Sequence, residues 1–159
     1  MKTVNPKSYK IAVFGASLCN EEVYELAKNV GREIAYNKAL LVCGGLGGVM
    51  EAASRGAHET GGITIGILPD DNENSANPYT DIVIVTNLGH ARNIVLAHTC
   101  HGAIAVTGSL GTLSEIAITL KLGKPVVGLN SWEVDPRIIK AVTPKDAVQK
   151  LIQAMDMKS

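Results

Sequence analysis

Aromatic side chains are scarce in this chain of 159 residues: one Phe, one Trp and four Tyr offer no clear platform for stacking a base or ring. Cysteine is scarcer still. Cys19, Cys43 and Cys100 share no CxxC spacing, and three thiols cannot all pair within one chain, so they read as reduced thiols packed as small apolar residues. An excess of either charge is also missing, because 15 Lys and Arg offset 15 Asp and Glu. That balance argues against a nucleic-acid binder held by a broad basic surface, and it leaves room for part of the surface to be covered by a partner. No uncharged apolar run reaches the ~18 residues of a membrane span. The first ten residues are polar, are broken by Pro6 and hold no signal-peptide core. A cytoplasmic protein is expected, with neither membrane nor nucleic acid among its partners.

There is no internal repeat or low-complexity tract, and the length suits one domain over residues 1–159. The chain is 46% hydrophobic with 16 glycines, which fits an α/β protein with apolar strands and small residues in its turns. Residues 10–15 (KIAVFG) read as a strand, and 20–38 carry Val23, Leu26, Ala27, Val30, Ile34 and Ala35 at helical spacing. A strand is expected over 39–43 and a helix over 49–59. Another strand is expected over 63–68, followed by a polar surface loop over 69–78 of the kind that often covers a site. Next come a strand over 81–86, a helix over 89–98 packing through Ile94, Val95 and Ala97, and a strand over 102–107. A helix over 110–122, a strand over 125–129 and a helix over 145–157, with Thr143-Pro144 as cap and first-turn proline, complete the chain. Such alternation implies a Rossmann-like, doubly wound, mostly parallel sheet with helices on both faces. Ligands of such sheets bind beyond the carboxyl ends of the strands, where strand order reverses.

Three constellations fall at that edge. The most informative is Thr107-Gly108-Ser109-Leu110-Gly111-Thr112-Leu113-Ser114-Glu115, in which a strand runs into two glycines, hydroxyls and a carboxylate. A turn of this kind brings bare N–H groups and a helix dipole toward an anion, so Thr107, Gly108, Ser109, Gly111 and Thr112 are candidate phosphate-binding positions and Glu115 a candidate catalytic carboxylate. The second is Gly44, Gly45, Gly47 and Gly48 between a strand and a helix. The third is Arg92, whose guanidinium can clamp a phosphate bidentately. After the first strand Gly15-Ala16-Ser17 stands without a GxGxxG match, which removes the main support for a nicotinamide or flavin dinucleotide. Gly15 and Ser17 remain candidate binding positions, Ser17 as a donor to a phosphate or ribose. Plainer roles stand beside these: a tight turn for the glycines, a surface salt bridge for Arg92, a dipole-favoured first-turn acid for Glu115. His90 serves equally well as a packing or capping residue. His98 and His101 flank Cys100 without completing a ligand set, so neither a metal nor a resident cofactor is expected.

The segment Gly44-Gly45-Leu46-Gly47-Gly48-Val49-Met50-Glu51-Ala52 resembles the GGGxxGxM element of Lonely Guy-type proteins, and Thr107 to Glu115 resembles their PGGxGTxxE element. The resemblance covers roughly residues 9–129, with the two motifs in order and an Arg-bearing helix between them. It implies a Rossmann-like homo-oligomer built on a dimer. Many members were once misnamed lysine decarboxylases, for which this chain offers no pyridoxal lysine context. In the enzymatic branch, which hydrolyses the N-glycosidic bond of adenine nucleotide 5'-monophosphates, an Arg and the motif Glu act together, and Arg92 and Glu115 match them. Thr107 and Ser109 replace the motif's Pro and second Gly, and Asn93 replaces the Lys that commonly follows the Arg. The form Gly89-His90-Ala91-Arg92-Asn93 and the short chain look more like the branch that includes molybdenum-cofactor carrier proteins, which bind a phosphorylated pterin.

Two functions are therefore expected. The first is a binding or carrier protein for a phosphorylated nucleotide-like or pterin-like small molecule. The alternative is a nucleotide 5'-monophosphate phosphoribohydrolase centred on Arg92 and Glu115. Ile116, Ala117, Ile118, Leu120 and Leu122 give helix 110–122 more apolar positions than one sheet contact needs, so a homodimer is expected.

Overall fold

The computed structural model describes residues 8–159; most of the segment read above for a signal peptide lies outside the described residues. Its centre is β1 (Lys10–Phe14), whose last four residues are buried. Around it the chain alternates through α1 (Glu21–Tyr36), β2 (Leu40–Cys43), α2 (Val49–Glu59), β3 (Thr64–Leu68) and β4 (Ile82–Val85). It returns through α3 (Arg92–Thr99), β5 (Gly102–Val106), α4 (Leu110–Lys121), β6 (Val126–Leu129), β7 (Ile139–Lys140) and α5 (Pro144–Asp156). Short 3-10 turns occupy Glu73–Ser75 and Gly89–Ala91.

All strand pairs are parallel, in the order β4-β3-β2-β1-β5-β6-β7. The chain winds outward from β1 to β4, then crosses back to place β5 on the other side of β1. The reversal of strand order thus lies between β1 and β5, where Ile11 pairs Gly102 and Phe14 pairs Ala105. Successive side chains of β1 enter opposite layers. Ile11 and Val13 pack with α1, α2 and α5, whereas Ala12 and Phe14 pack with α3 and α4. The Rossmann-like doubly wound sheet expected from the alternation is the observed fold.

Local chemistry sets the helix ends. Asn20 caps α1 by accepting from Val23 N–H at 2.9 Å, with Glu21 and Glu22 in the first turn, and Thr143 caps α5 by accepting from Asp146 N–H at 3.1 Å ahead of Pro144. Three differences from the sequence reading have physical reasons. The helix expected over 89–98 is a 3-10 turn followed by α3, and its inward face is Arg92, Asn93, Leu96 and Ala97. Ile94 is therefore 48% exposed rather than packed, because two polar residues occupy the face an apolar count would have given it. β4 is an edge strand with Ile82, Ile84 and Val85 each more than two-fifths exposed. β7, two residues long, is too short to leave a periodic signal. Among the described residues no helix is long and apolar enough to cross a membrane.

α1 and α2 meet backbone to backbone through two glycines. A methyl on Gly31 would lie 1.9 Å from the Ala53 carbonyl oxygen, and one on Gly56 would lie 1.9 Å from that of Lys28. On an exposed helix Gly→Ala gains about 1 kcal/mol. Here the helices would have to separate, so Gly31→Ala is expected to lose about 3 kcal/mol in urea unfolding, reversing the sign of the propensity effect.

Candidate functional site

The β1 and β2 turns interlock. Val49 N–H donates to the Ala16 carbonyl at 3.0 Å, and a methyl on Gly48 (φ +59) would sit 2.4 Å from that same oxygen. Gly15 lies against Val49, whose Cγ1 would be 2.3 Å from a methyl there. Gly15 and Gly48 are thus small because one turn seats the other. Gly47 is less crowded, with the Ser17 carbonyl oxygen 3.1 Å from its Cβ position, and the Ser17 side chain is exposed.

Gly44 has a different neighbour: a methyl there would lie 1.7 Å from Arg92 Nη1 and 2.7 Å from Met50 Sδ. Arg92 opens α3 and is only 8% exposed, so it is not the solvent-exposed salt-bridge residue that its first-turn position allowed. Its Nε and Nη1 are buried without a hydrogen-bond partner among the described residues. Burial pulls the guanidinium pKa down, opposed by the charges of Glu115, Cys43 and Asp70. Asn93, at the position that the resemblance gives to Lys, is 6% exposed.

The third turn follows β5. Thr107 (φ +49) and Gly108 (φ +125) both have left-handed backbone, and Ser109 N–H donates to Thr112 Oγ1 at 3.3 Å. Thr112 is 2% exposed, its hydroxyl engaged by the turn itself, while Gly108, Ser109 and Gly111 face solvent. Glu115 lies in the second turn of α4, further along than a first-turn acid, and is 8% exposed. Burial favours the protonated form and pushes its carboxyl up to about 8 against the opposing pull of Arg92.

The strand order places all three turns at one sheet edge, with Arg92 against Gly44 and close enough to Glu115 for each charge to act on the other. His90 and His98 are exposed, and His101 lies at the opposite edge, where its Nδ1 accepts from Lys10 N–H at 2.9 Å. Sequence reasoning missed three residues that grip the turns. Asn77, 7% exposed, donates through its N–H to the Gly45 carbonyl at 2.9 Å and through Nδ2 to the Leu46 carbonyl at 3.0 Å. Ser131 Oγ donates to the Thr107 carbonyl at 2.5 Å, and Trp132 Nε1 to the Ser109 carbonyl at 3.0 Å. The only signal for Asn77 was its place in the polar loop 69–78.

Comparison with known proteins agrees with this architecture. The SLOG cluster4 family profile matches residues 8–159. The molybdenum cofactor binding protein of Rippkaea orientalis superposes with a TM-score of 0.88 at 33% identity, covering 94% of this chain and 98% of that one. The molybdenum cofactor carrier protein of Chlamydomonas reinhardtii gives 0.85 at 33% identity, covering 94% and 99%. A cytokinin riboside 5'-monophosphate phosphoribohydrolase of Mycobacterium marinum is 32% identical over 142 residues, 82% of this chain and 75% of that protein. The expected kinship with Lonely Guy and molybdenum-cofactor carrier proteins is borne out.

Glu115 makes stability depend on pH in a defined direction. Its folded pKa lies above the unfolded value, so between about 4.5 and about 8 the folded state keeps a proton that the unfolded chain has released. Its contribution therefore falls as pH rises through that window and levels off above it. In urea unfolding Glu115→Gln is expected to match the parent near pH 4 and to exceed it at pH 8, by up to about 5 kcal/mol. Parallel pH profiles for the two proteins would show that folding leaves the Glu115 pKa unshifted.

Proposed function

Given that the chain belongs to the SLOG cluster4 family, we propose that it binds a phosphorylated nucleotide-like or pterin-like small molecule at the carboxyl edge of its sheet, as a carrier. The observation that carries this reading is Arg92, a buried guanidinium with Nε and Nη1 unpartnered. A buried cation without a partner costs several kcal/mol unless an anion completes it, and a phosphate accepts from a guanidinium in bidentate geometry. Protonation of Glu115 supports the same reading, because a neutral carboxyl does not repel a dianion. The structural relatives described as molybdenum cofactor binding and carrier proteins support a pterin phosphate as the cargo.

A second reading rests on the proximity of Glu115 to Arg92. A carboxylic acid with its pKa near 8 is suited to protonate a departing base, which is the chemistry of a nucleotide phosphoribohydrolase. The Mycobacterium marinum relative supports it. Incubation with AMP and with a pterin phosphate, followed by calorimetry and chromatography, separates the two. The carrier reading expects saturable binding, at least about tenfold weaker in Arg92→Gln, with no free base released. Release of adenine and ribose 5-phosphate that disappears in Glu115→Gln would replace it with the hydrolase. Absence of both binding and release would overturn the site.

The homodimer is part of this proposal. Ile116 and Leu120 are buried against the sheet, but Ala117 and Leu122 are exposed, Leu110 is 76% exposed, and Ile94 lies exposed on neighbouring α3. Ile82 and Ile84 face the same layer, since they pair in register with Ile65 and Ile67. Light scattering at micromolar concentration is expected to give twice the 16.7 kDa chain mass, and Leu110→Asp to shift it toward one. A parent protein with the mass of one chain would remove the dimer.

A further inference from the structure

The carbonyl oxygens of both glycine turns are tied back by donors from other loops. In the β2 turn, Asn77 takes the carbonyls of Gly45 and Leu46. In the β5 turn, Ser131 takes that of Thr107, while Trp132 shares that of Ser109 with the Leu113 N–H of α4, which donates to it at 3.1 Å. A trans peptide carries its N–H opposite its C=O, so tying four carbonyls fixes the direction of the four amides that follow: Leu46, Gly47, Gly108 and Leu110. None of these amides donates to any group among the described residues. The flanking backbone is of the kind that permits a peptide plane to turn over, with Gly45 at φ +78 and Gly108 at φ +125. A turned peptide would present a carbonyl oxygen to the anion in place of an N–H.

We propose that Asn77 and Ser131 are positioning residues that hold the peptide planes of both turns, so that the amides of Leu46, Gly47 and Gly108 join that of Leu110, fixed by its own helix, in facing the phosphate beside Arg92. This rests on the anion site proposed above and extends it to residues outside both motifs. It also gives the 69–78 loop a role, since Asn77 anchors it to the turn; its start is held where Asn87 N–H donates to the Asp70 carbonyl at 3.0 Å and Gly89 N–H to that of Pro69 at 2.9 Å. The loop is a strap under the turn rather than a free flap.

Two measurements on the 15N-labelled full chain test it. Without ligand, Ser131→Ala is expected to broaden the amide signal of Gly108 and Asn77→Ala that of Gly47, as the freed peptides exchange between orientations. The Leu46 and Leu110 amides, whose peptides the backbone N–H groups of Asn77 and Leu113 hold, are expected to stay sharp. With inorganic phosphate, the four parental amide signals are expected to shift together. Each variant should bind phosphate about fivefold to tenfold more weakly while its thermal midpoint moves by only a few degrees. Ser131→Thr, which keeps the hydroxyl, should restore parental affinity. Unchanged ligand-free signals in the variants would overturn the tie-back whatever the ligand does. Broadened signals with parental phosphate affinity would overturn the positioning role. A parent whose amides ignore phosphate would remove the anion site, and the positioning role with it.

Discussion

The pairing of β1 with β2 on one side and β5 on the other is the constraint from which the candidate site follows. In sequence, the turns after β1, β2 and β5 are far apart, and only the reversal of winding direction at β1 makes them neighbours. Parallel strands place all three turns at the same edge, and the β1 and β2 turns are then so close that Gly48 is in contact with Ala16. The core supports the register from both faces. A one-residue slip of β1 would exchange Ile11 and Val13 with Ala12 and Phe14 between two layers of different shape.

Within that frame the balance of charge and burial is unusual. Arg92 and Glu115 are both under a tenth exposed, yet burial shifts each toward its neutral form despite the attraction between them. A closed ion pair would have satisfied Nε and Nη1 of Arg92, which instead remain without partners. A structural salt bridge therefore does not account for the pair. An incoming anion would meet a cation already dehydrated and held in place, so most of the cost of orienting it is borne by the fold rather than by the binding event.

Much of the fold was legible in the sequence because its long elements obey one period each. α2 begins at Val49 and ends at Glu59 as the spacing indicates, and the cap Thr143 stands where its side chain and the following proline suggest. What could not be read was which face of α3 turns inward, since a pattern count places Ile94 inside and Arg92 outside, whereas tertiary contact with Gly44 does the reverse. The glycines were legible as a cluster but not as individuals: Gly15 and Gly48 seat one turn on another, Gly44 seats a guanidinium, and Gly111 alone of the motif glycines in the β5 turn has open space around it. Asn77, Ser131 and Trp132 left no signal of their own, because their partners are backbone carbonyls that any sequence would supply.

The two departures from the PGGxGTxxE element are not equivalent. Ser109 has φ −108, a conformation open to any residue, so serine in place of glycine leaves the backbone path free to be the same. Thr107 has φ +49, and a pyrrolidine ring holds φ near −65°, so a proline could not follow this path. The chain therefore enters the β5 turn along a backbone that the proline form of the motif cannot adopt. A β-branched residue in the left-handed region is itself strained by about 1–3 kcal/mol, and here it is held by five hydrogen bonds at residues 107–109: Thr107 N–H to the Leu129 carbonyl, Ser131 to the Thr107 carbonyl, Ser109 N–H to Thr112 Oγ1, and Trp132 and the Leu113 N–H to the Ser109 carbonyl. The positive φ of Thr107 separates the turn from the proline-containing form of the element at the residue where strand gives way to loop.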